Sequence, residues 1–224
     1  MLLHLKSILT PDQLQGAREM LARVKFVDGK ASAGLAAARV KNNQEAERGA
    51  QDLARLDDLV MGDLVRHPVY RAGALPLKVA APFYARYVPG MRYGDHVDDP
   101  IMGGAAGLYR TDIAITIFLN DPGDYDGGEL VIHTAFGENK MKLPAGDAVM
   151  YPASSRHRVA EVTRGERLVA VTWVQSLVRD PARRELLYGL NLAREKLLAD
   201  APQAEETAQV NAAYVNLVRM WSEL

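Results

Sequence analysis

No cysteine occurs in the 224 residues. That excludes disulfides and thiolate metal ligands, and turns any search for a metal site towards His, Asp and Glu. Charge of one sign is also missing in bulk. The chain has 27 Lys and Arg against 28 Asp and Glu, which leaves no broad electrostatic footprint for nucleic acid or an anionic membrane. No apolar run approaches the ~20 residues that cross a bilayer. The start, Met1-Leu2-Leu3-His4-Leu5-Lys6, lacks a basic region followed by a long apolar core and a small-residue cleavage site. The chain therefore reads as cytoplasmic, with neither nucleic acid nor membrane as a partner. Internal repeats and low-complexity tracts are absent as well.

What is present suffices for one sizeable core, since 48% of the residues are hydrophobic and nothing in the length forces a second domain. Thr10-Pro11-Asp12-Gln13 carries a capping residue, a proline at the first helical position and a glutamine placed to complete a capping box. A helix should start there, with Leu14, Ala17, Leu21 and Val24 on one face. The segment Asp28 to Val40, rich in Gly, Ala and Ser, is expected to be a mobile loop. A longer helix is expected from Asn43 to His67, striped by Leu53, Leu56, Val60 and Leu64 and ended by Pro68, with His67 in the closing turn.

From about Leu77 to Val178 the pattern changes to short runs of β-branched and aromatic residues between Pro, Gly and Asp clusters. Candidate strands are Phe83–Tyr87, Met91–Val97, Asp112–Leu119, Glu129–Thr134, Lys140–Leu143, Ala148–Tyr151, His157–Thr163 and Arg167–Leu177. Short strands at regular spacing predict a sandwich or jelly roll. After Arg179-Asp180-Pro181 two helices are expected, over Ala182 to Leu198 and Glu205 to Leu224. The first carries Leu186, Leu190 and Leu197 on one stripe. The second carries Val210, Tyr214, Leu217 and Trp221, a face that must pack on the sheet or on a second copy in a homo-oligomer. The resulting division is a catalytic domain over 1–178, with N-terminal helices in 1–76 and the β core in 77–178, then a helical extension over 179–224.

Within the β region, His96 and Asp98 stand two apart in Tyr93-Gly94-Asp95-His96-Val97-Asp98-Asp99-Pro100, so extended backbone points both to one side and Asp99 to the other. A lone H-x-D is more often an exposed polar turn. His157 changes the odds, because it follows a strand and its turn from which the chain can return to His96. Two neutral imidazoles and one carboxylate leave metal positions open, as non-haem Fe(II) oxygenases require. Arg167, ten residues beyond His157, would ordinarily be a surface residue or a structural ion-pair partner. Flanked by Leu168-Val169-Ala170-Val171, however, its guanidinium must find an anion, and its planar fork suits a carboxylate. One hairpin is expected to join the two residues through an odd-length or bulged turn, because a two-residue Arg164-Gly165 turn would set them on opposite faces. A three-residue connection, Arg164-Gly165-Glu166, pairs Thr163 with Arg167 and points His157, Val159, Arg167, Val169, Val171 and Trp173 inwards together.

The ordered set of H-x-D, distant His and Arg resembles the Fe(II)/2-oxoglutarate-dependent oxygenases of the prolyl-4-hydroxylase-like group, and within it the bacterial PKHD-type hydroxylases. The resemblance extends through Tyr87-Val88-Pro89-Gly90, Phe118-Leu119-Asn120-Asp121-Pro122, Asp126-Gly127-Gly128-Glu129-Leu130 and Arg167 to Trp173. It implies a mainly β fold, a double-stranded β-helix (jelly roll) with N-terminal helices and a C-terminal helical extension. It further implies a dioxygenase whose catalytic and metal residues are His96, Asp98 and His157. Arg167 would bind the distal carboxylate of 2-oxoglutarate, and oxidative decarboxylation to succinate would accompany hydroxylation of an unidentified small molecule or peptide. The cofactor set is Fe(2+), 2-oxoglutarate as cosubstrate, O2, and L-ascorbate as reductant. Tyr87 and Tyr93 are candidates to reach the cosubstrate and Trp173 to wall the pocket, although each could equally be core. Phe118 stands where several relatives carry a tyrosine that helps hold the cosubstrate.

His133 and His4 read as structural histidines. Arg156 and Arg158 either rim the entrance or merely solvate an edge. Two other readings compete with the hydroxylase: a cupin-like metalloprotein, which usually has more histidines and needs no buried arginine, and a non-catalytic metal- or peptide-binding jelly-roll module.

Overall fold

The computed structural model describes residues 1–49, 53–104 and 107–224. It opens on a short strand, β1 (Leu3–Leu5), and a helix, α1 (Pro11–Arg23), which begins where the sequence predicts. The Gln13 amide donates to Thr10 Oγ1 at 3.3 Å, and the Thr10 amide donates to Gln13 Oε1 at 2.8 Å. Leu14, Ala17 and Leu21 form its buried face.

The next segment departs from expectation. Instead of a loop, residues Asp28 to Val40 continue from β2 (Phe26–Asp28) into a 3-10 turn (Gly29–Ser32) and the short helix α2 (Leu35–Ala38). Two strands follow, β3 (Lys41–Asn42) and β4 (Gln44–Ala46). The helix expected from Asn43 is therefore shorter: α3 spans Leu53–Leu64, with Leu56, Val60 and Leu64 buried as predicted, while 50–52 lie outside the described residues. Helical spacing begins only at Leu53, and upstream the period is two, with Lys41, Asn43 and Glu45 buried and Asn42 exposed. His67 does not close α3 but is the N-cap residue of a further helix, α4 (Pro68–Ala74), in which Pro68 takes the first position.

The remaining strands are β5 (Pro76–Val79), β6 (Phe83–Tyr87), β7 (Arg92–His96), β8 (Ile101–Gly104), β9 (Gly107–Arg110), β10 (Ile113–Phe118), β11 (Tyr125–Gly127), β12 (Leu130–Thr134), β13 (Gly137–Met141), β14 (Ala148–Pro152), β15 (His157–Val159), β16 (Val162–Gly165) and β17 (Arg167–Ser176). They form an antiparallel jelly roll. One sheet runs β1-β14-β10-β17-β6-β4-β2 with β5 also on β17, and the other runs β13-β12-β15-β7-β3. Strand β10 is apolar along most of its length because both its faces are covered. Ile113, Ile115 and Ile117 pack with Leu14, Leu21, Leu56 and Val60 of the helices. Ala114 and Phe118 face the interior, among Val149, Val169, Leu130 and Val159. Strand β17 alternates likewise, with Leu168, Ala170 and Val174 towards the helices and Val169, Val171 and Trp173 inside.

His157 and Arg167 share that interior, but not through a common hairpin. The single strand expected from His157 to Thr163 is split: β15 pairs with β12 and β7, whereas β16 pairs with β11. Arg167 pairs with Tyr87, and the predicted pairing of Thr163 with Arg167 does not form. A turn sets register only between strands that it joins within one sheet, and here the chain passes from one sheet to the other. Gly165 permits the passage. Its φ is 72°, and a Cβ there would lie 2.1 Å from the Asp124 carbonyl oxygen.

Two helices complete the chain, α5 (Pro181–Asp200) and α6 (Glu205–Trp221). The buried face of α5 is Arg184, Leu187 and Asn191, whereas Leu186 of the expected stripe is exposed. Arg184 sets this rotation by donating to the carbonyls of Val178 and Arg179 at 2.7 Å each. The α6 stripe of Val210, Tyr214, Leu217 and Trp221 is half-buried, with Arg194 over Tyr214 and Arg183 over Trp221 from α5. Among the described residues no helix is long and apolar enough to cross a membrane.

Candidate metal centre

His96 ends β7 and His157 begins β15, and the two are direct cross-strand partners. Their side chains therefore leave the sheet together, with ring centroids 4.3 Å apart. Each imidazole is oriented by its own chain: His96 Nδ1 lies 2.8 Å from the Gly94 carbonyl oxygen, and His157 Nδ1 lies 3.0 Å from that of Ser155. A carbonyl can only accept, so both Nδ1 atoms carry the proton and both Nε2 lone pairs remain free. Asp98 follows two residues after His96. Its Oδ1 stands 3.8 Å from His96 Nε2 and 3.7 Å from His157 Nε2, and one ligand atom from each of the three residues falls within 4.8 Å of the others.

The other carboxylate oxygen is held by a different strand. Trp173 Nε1 on β17 donates to Asp98 Oδ2 at 2.9 Å, leaving Oδ1 to face the histidines. Tyr93 stacks on His96 at 3.7 Å and 12°, and Tyr151 meets His157 edge-on at 5.2 Å. Burial, followed by the neighbouring His157, pushes the His96 pKa down to about 4, so the ring is neutral, as ligation requires. Burial also raises the Asp98 pKa, against the opposing influence of His157. Two capped imidazoles and a carboxylate steered by an indole are a donor set that fits Fe(II). Substituting Trp173→Phe keeps an aromatic wall and removes the donor. Metal affinity should fall about 10–100-fold, measured by anaerobic titration; an unchanged value would reduce Trp173 to packing.

Arg167 lines the same cavity from the opposite sheet. It is 1% exposed, and among the described residues its guanidinium has no ion pair. The Tyr87 ring lies 5.0 Å from Arg167 Cζ and the Phe118 ring 5.8 Å. The structure thus brings together all seven residues expected at the site: His96, Asp98, His157, Arg167, Tyr87, Tyr93 and Trp173 line one cavity.

The lining also includes polar residues outside the expected set. Lys41, Asn43 and Glu45 turn inwards from β3, the residue after it and β4, and Lys41 Nζ donates to Glu45 Oε1 at 2.5 Å and to Ser32 Oγ at 2.9 Å. The one signal for them is the alternation of Lys-x-Asn-x-Glu, which an exposed strand shows equally well. The other candidates lie apart. His133 Nε2 is 2.8 Å from Asp95 Oδ1, while Arg156 pairs with Asp95 and Arg158 with Glu138 at 2.7 Å each. These arginines are neutralised in a surface network and do not line the cavity. His4 is bound to Asp147 at 2.6 Å, a structural role.

The 2OG-Fe(II) oxygenase superfamily profile matches residues 82–175, and that of the PKHD-type hydroxylase C-terminal domain matches 181–223. A PKHD-type hydroxylase of Thioalkalivibrio sulfidiphilus is 50% identical over 224 residues, covering 100% of both chains. Another, from Hyphomonas neptunium, is 44% identical over 228 residues, again covering 100% of each. Among solved structures, a prolyl hydroxylase from Trichoplax adhaerens, in complex with a hypoxia inducible factor peptide fragment, superposes with a TM-score of 0.56 at 16% identity. That match covers 83% of this chain and 86% of the other.

Proposed function

Because this chain belongs to the PKHD-type hydroxylases of the 2OG-Fe(II) oxygenase superfamily, we propose that His96, Asp98 and His157 hold its iron and that Arg167 receives the distal carboxylate of 2-oxoglutarate. The observation that carries this reading is the meeting, in one cavity, of two free Nε2 atoms and one steered carboxylate oxygen with a buried guanidinium that has no counter-ion among the described residues. A buried cation without an anion is costly, and a dicarboxylate supplies the anion. A cupin-like role leaves Arg167 without a purpose.

Fe(II) held there, with O2 and 2-oxoglutarate, supplies hydroxylation chemistry: one oxygen atom goes to the substrate C–H, and the other to 2-oxoglutarate as it becomes succinate and carbon dioxide. The chain's own contribution is placement. The Gly94 and Ser155 carbonyls fix the imidazole tautomers, Trp173 fixes Asp98, and Tyr87 walls the guanidinium while Tyr93 walls His96. The apolar interior limits water around the reacting centre. Ascorbate serves in this reading as the reductant that maintains ferrous iron. The substrate in this reading is a small molecule or peptide.

Mixing the chain with Fe(II) and 2-oxoglutarate without oxygen, then admitting O2, should release succinate slowly even when no substrate is added. Bound metal and 2-oxoglutarate with no succinate, across a substrate panel, would reject turnover and favour a binding module.

A further inference from the structure

Five buried side-chain polar atoms lack a well-formed hydrogen bond to any described residue, and two of them fall in one place: Arg167 Nε and Tyr125 Oη. Tyr125 enters from β11, 1% exposed. Its ring and the Arg167 stem meet over Gly128, where an added Cβ would lie 3.0 Å from both Tyr125 Cε2 and Arg167 Cδ. Burial raises the Tyr125 pKa, and Arg167 opposes the rise both by its charge and as a side-chain donor to the phenol oxygen.

The surrounding tyrosines are otherwise engaged. The phenol of Tyr87 interacts with the Asn43 side chain, and that of Tyr151 with Thr116. Phe118, whose ring lies 5.8 Å from Arg167 Cζ, has no hydroxyl to offer. Arginine has donors only, so it cannot accept the Tyr125 proton. A phenylalanine at 125 would fill the same space without the cost of burying an unsatisfied hydroxyl. Arg167 can serve the phenol only as a donor, so the Tyr125 hydrogen is left without an acceptor.

We propose that Tyr125 is the neutral donor of the carboxylate subsite, making from β11 the contact that Phe118 on β10 cannot make, so that the distal carboxylate of 2-oxoglutarate meets the Arg167 fork and the Tyr125 hydroxyl together. The inference rests on the role proposed above for Arg167. Tyr125 is a binding and positioning residue, and among the described residues no hydrogen bond or ring contact joins it to the proposed metal ligands.

The test uses the full chain loaded with Mn(II), in which 2-oxoglutarate binds without turnover and is followed calorimetrically. Tyr125→Phe should weaken 2-oxoglutarate about tenfold or more, the loss of one hydrogen bond to a charged group, and leave Mn(II) affinity unchanged. Adding Phe118→Tyr to that variant should restore most of the loss, which a packing role for Tyr125 would not allow. Wild-type affinity in Tyr125→Phe, alongside weakened binding in Arg167→Met, overturns the proposal and leaves the Arg167 reading intact. Unchanged binding in Arg167→Met sinks the Arg167 reading itself. Should Tyr125→Phe fail to fold, fluorotyrosine placed at 125 decides by fluorine NMR: its resonance should shift when 2-oxoglutarate is added, and a stationary resonance overturns the proposal.

Discussion

Replacing Asp98 with Asn should abolish metal-dependent turnover and at the same time raise the melting temperature of the metal-free protein. Both effects come from one carboxylate. Loss of an outer partner of a metal ligand costs about 10–100-fold in affinity or activity, and Asp98 is proposed as a ligand itself, so the fall in activity should exceed about a hundredfold. The gain in stability follows from the sign of its titration. Burial raises the folded-state pKa of Asp98 above 3.8, which means that the fold favours the protonated acid. The stability it contributes is therefore present below the unfolded pKa and lost as pH rises through the folded value, so that at neutral pH the ionised group works against folding. Asparagine stays neutral, matches the shape and can still accept from Trp173 Nε1. For a chain of this size about 1 kcal/mol appears as about 2–4 °C. Melts of metal-free wild type and Asp98→Asn should diverge as pH is raised from acid to neutral, and added Mn(II) should stabilise the wild type alone. A variant that melts below the metal-free wild type at neutral pH would contradict this account.

Arg167→Met is expected to have the largest effect on cosubstrate affinity. Methionine occupies much of the space of the stem and removes the charge. Truncating one partner of a buried, hydrogen-bonded charge pair costs about 2–5 kcal/mol, so 2-oxoglutarate should bind at least about thirtyfold more weakly. Metal affinity should hold, because among the described residues no hydrogen bond or ion pair joins Arg167 to the proposed ligands. Without 2-oxoglutarate the variant should be no less stable than wild type, since its guanidinium is 1% exposed and unpaired among the described residues. Calorimetry on the Mn(II)-loaded protein reads the affinity, and a urea midpoint reads the stability. Unaltered 2-oxoglutarate binding would remove Arg167 from the site.

The site was legible where its geometry is local. His96 and Asp98 are bound by two-residue alternation, and Arg167 with Trp173 by the same rule along β17, so their shared direction needed no tertiary information. What the sequence could not convey was which strand lies beside which. The hairpin proposed for His157 and Arg167 reached the correct inward set by the wrong pairing, because turn chemistry at Gly165 is equally consistent with a crossing between sheets. Lys41, Asn43 and Glu45 stayed hidden for a related reason: polar residues facing inwards have the pattern of polar residues facing water. The buried face of α5 lies one position from its leucine stripe, because Arg184 occupies that side by donating to the carbonyls that end the preceding segment.

The two histidines hang from the five-stranded layer, and the arginine from the eight-stranded one. Layers of this kind stack about 10 Å apart, and here Phe118, Val149 and Val169 pack in the core between them. On the roles proposed for His96, His157 and Arg167, the sandwich would act as a caliper: its two jaws are opposite sheets, and the packing between them would select how long a diacid can be and still be gripped at both ends.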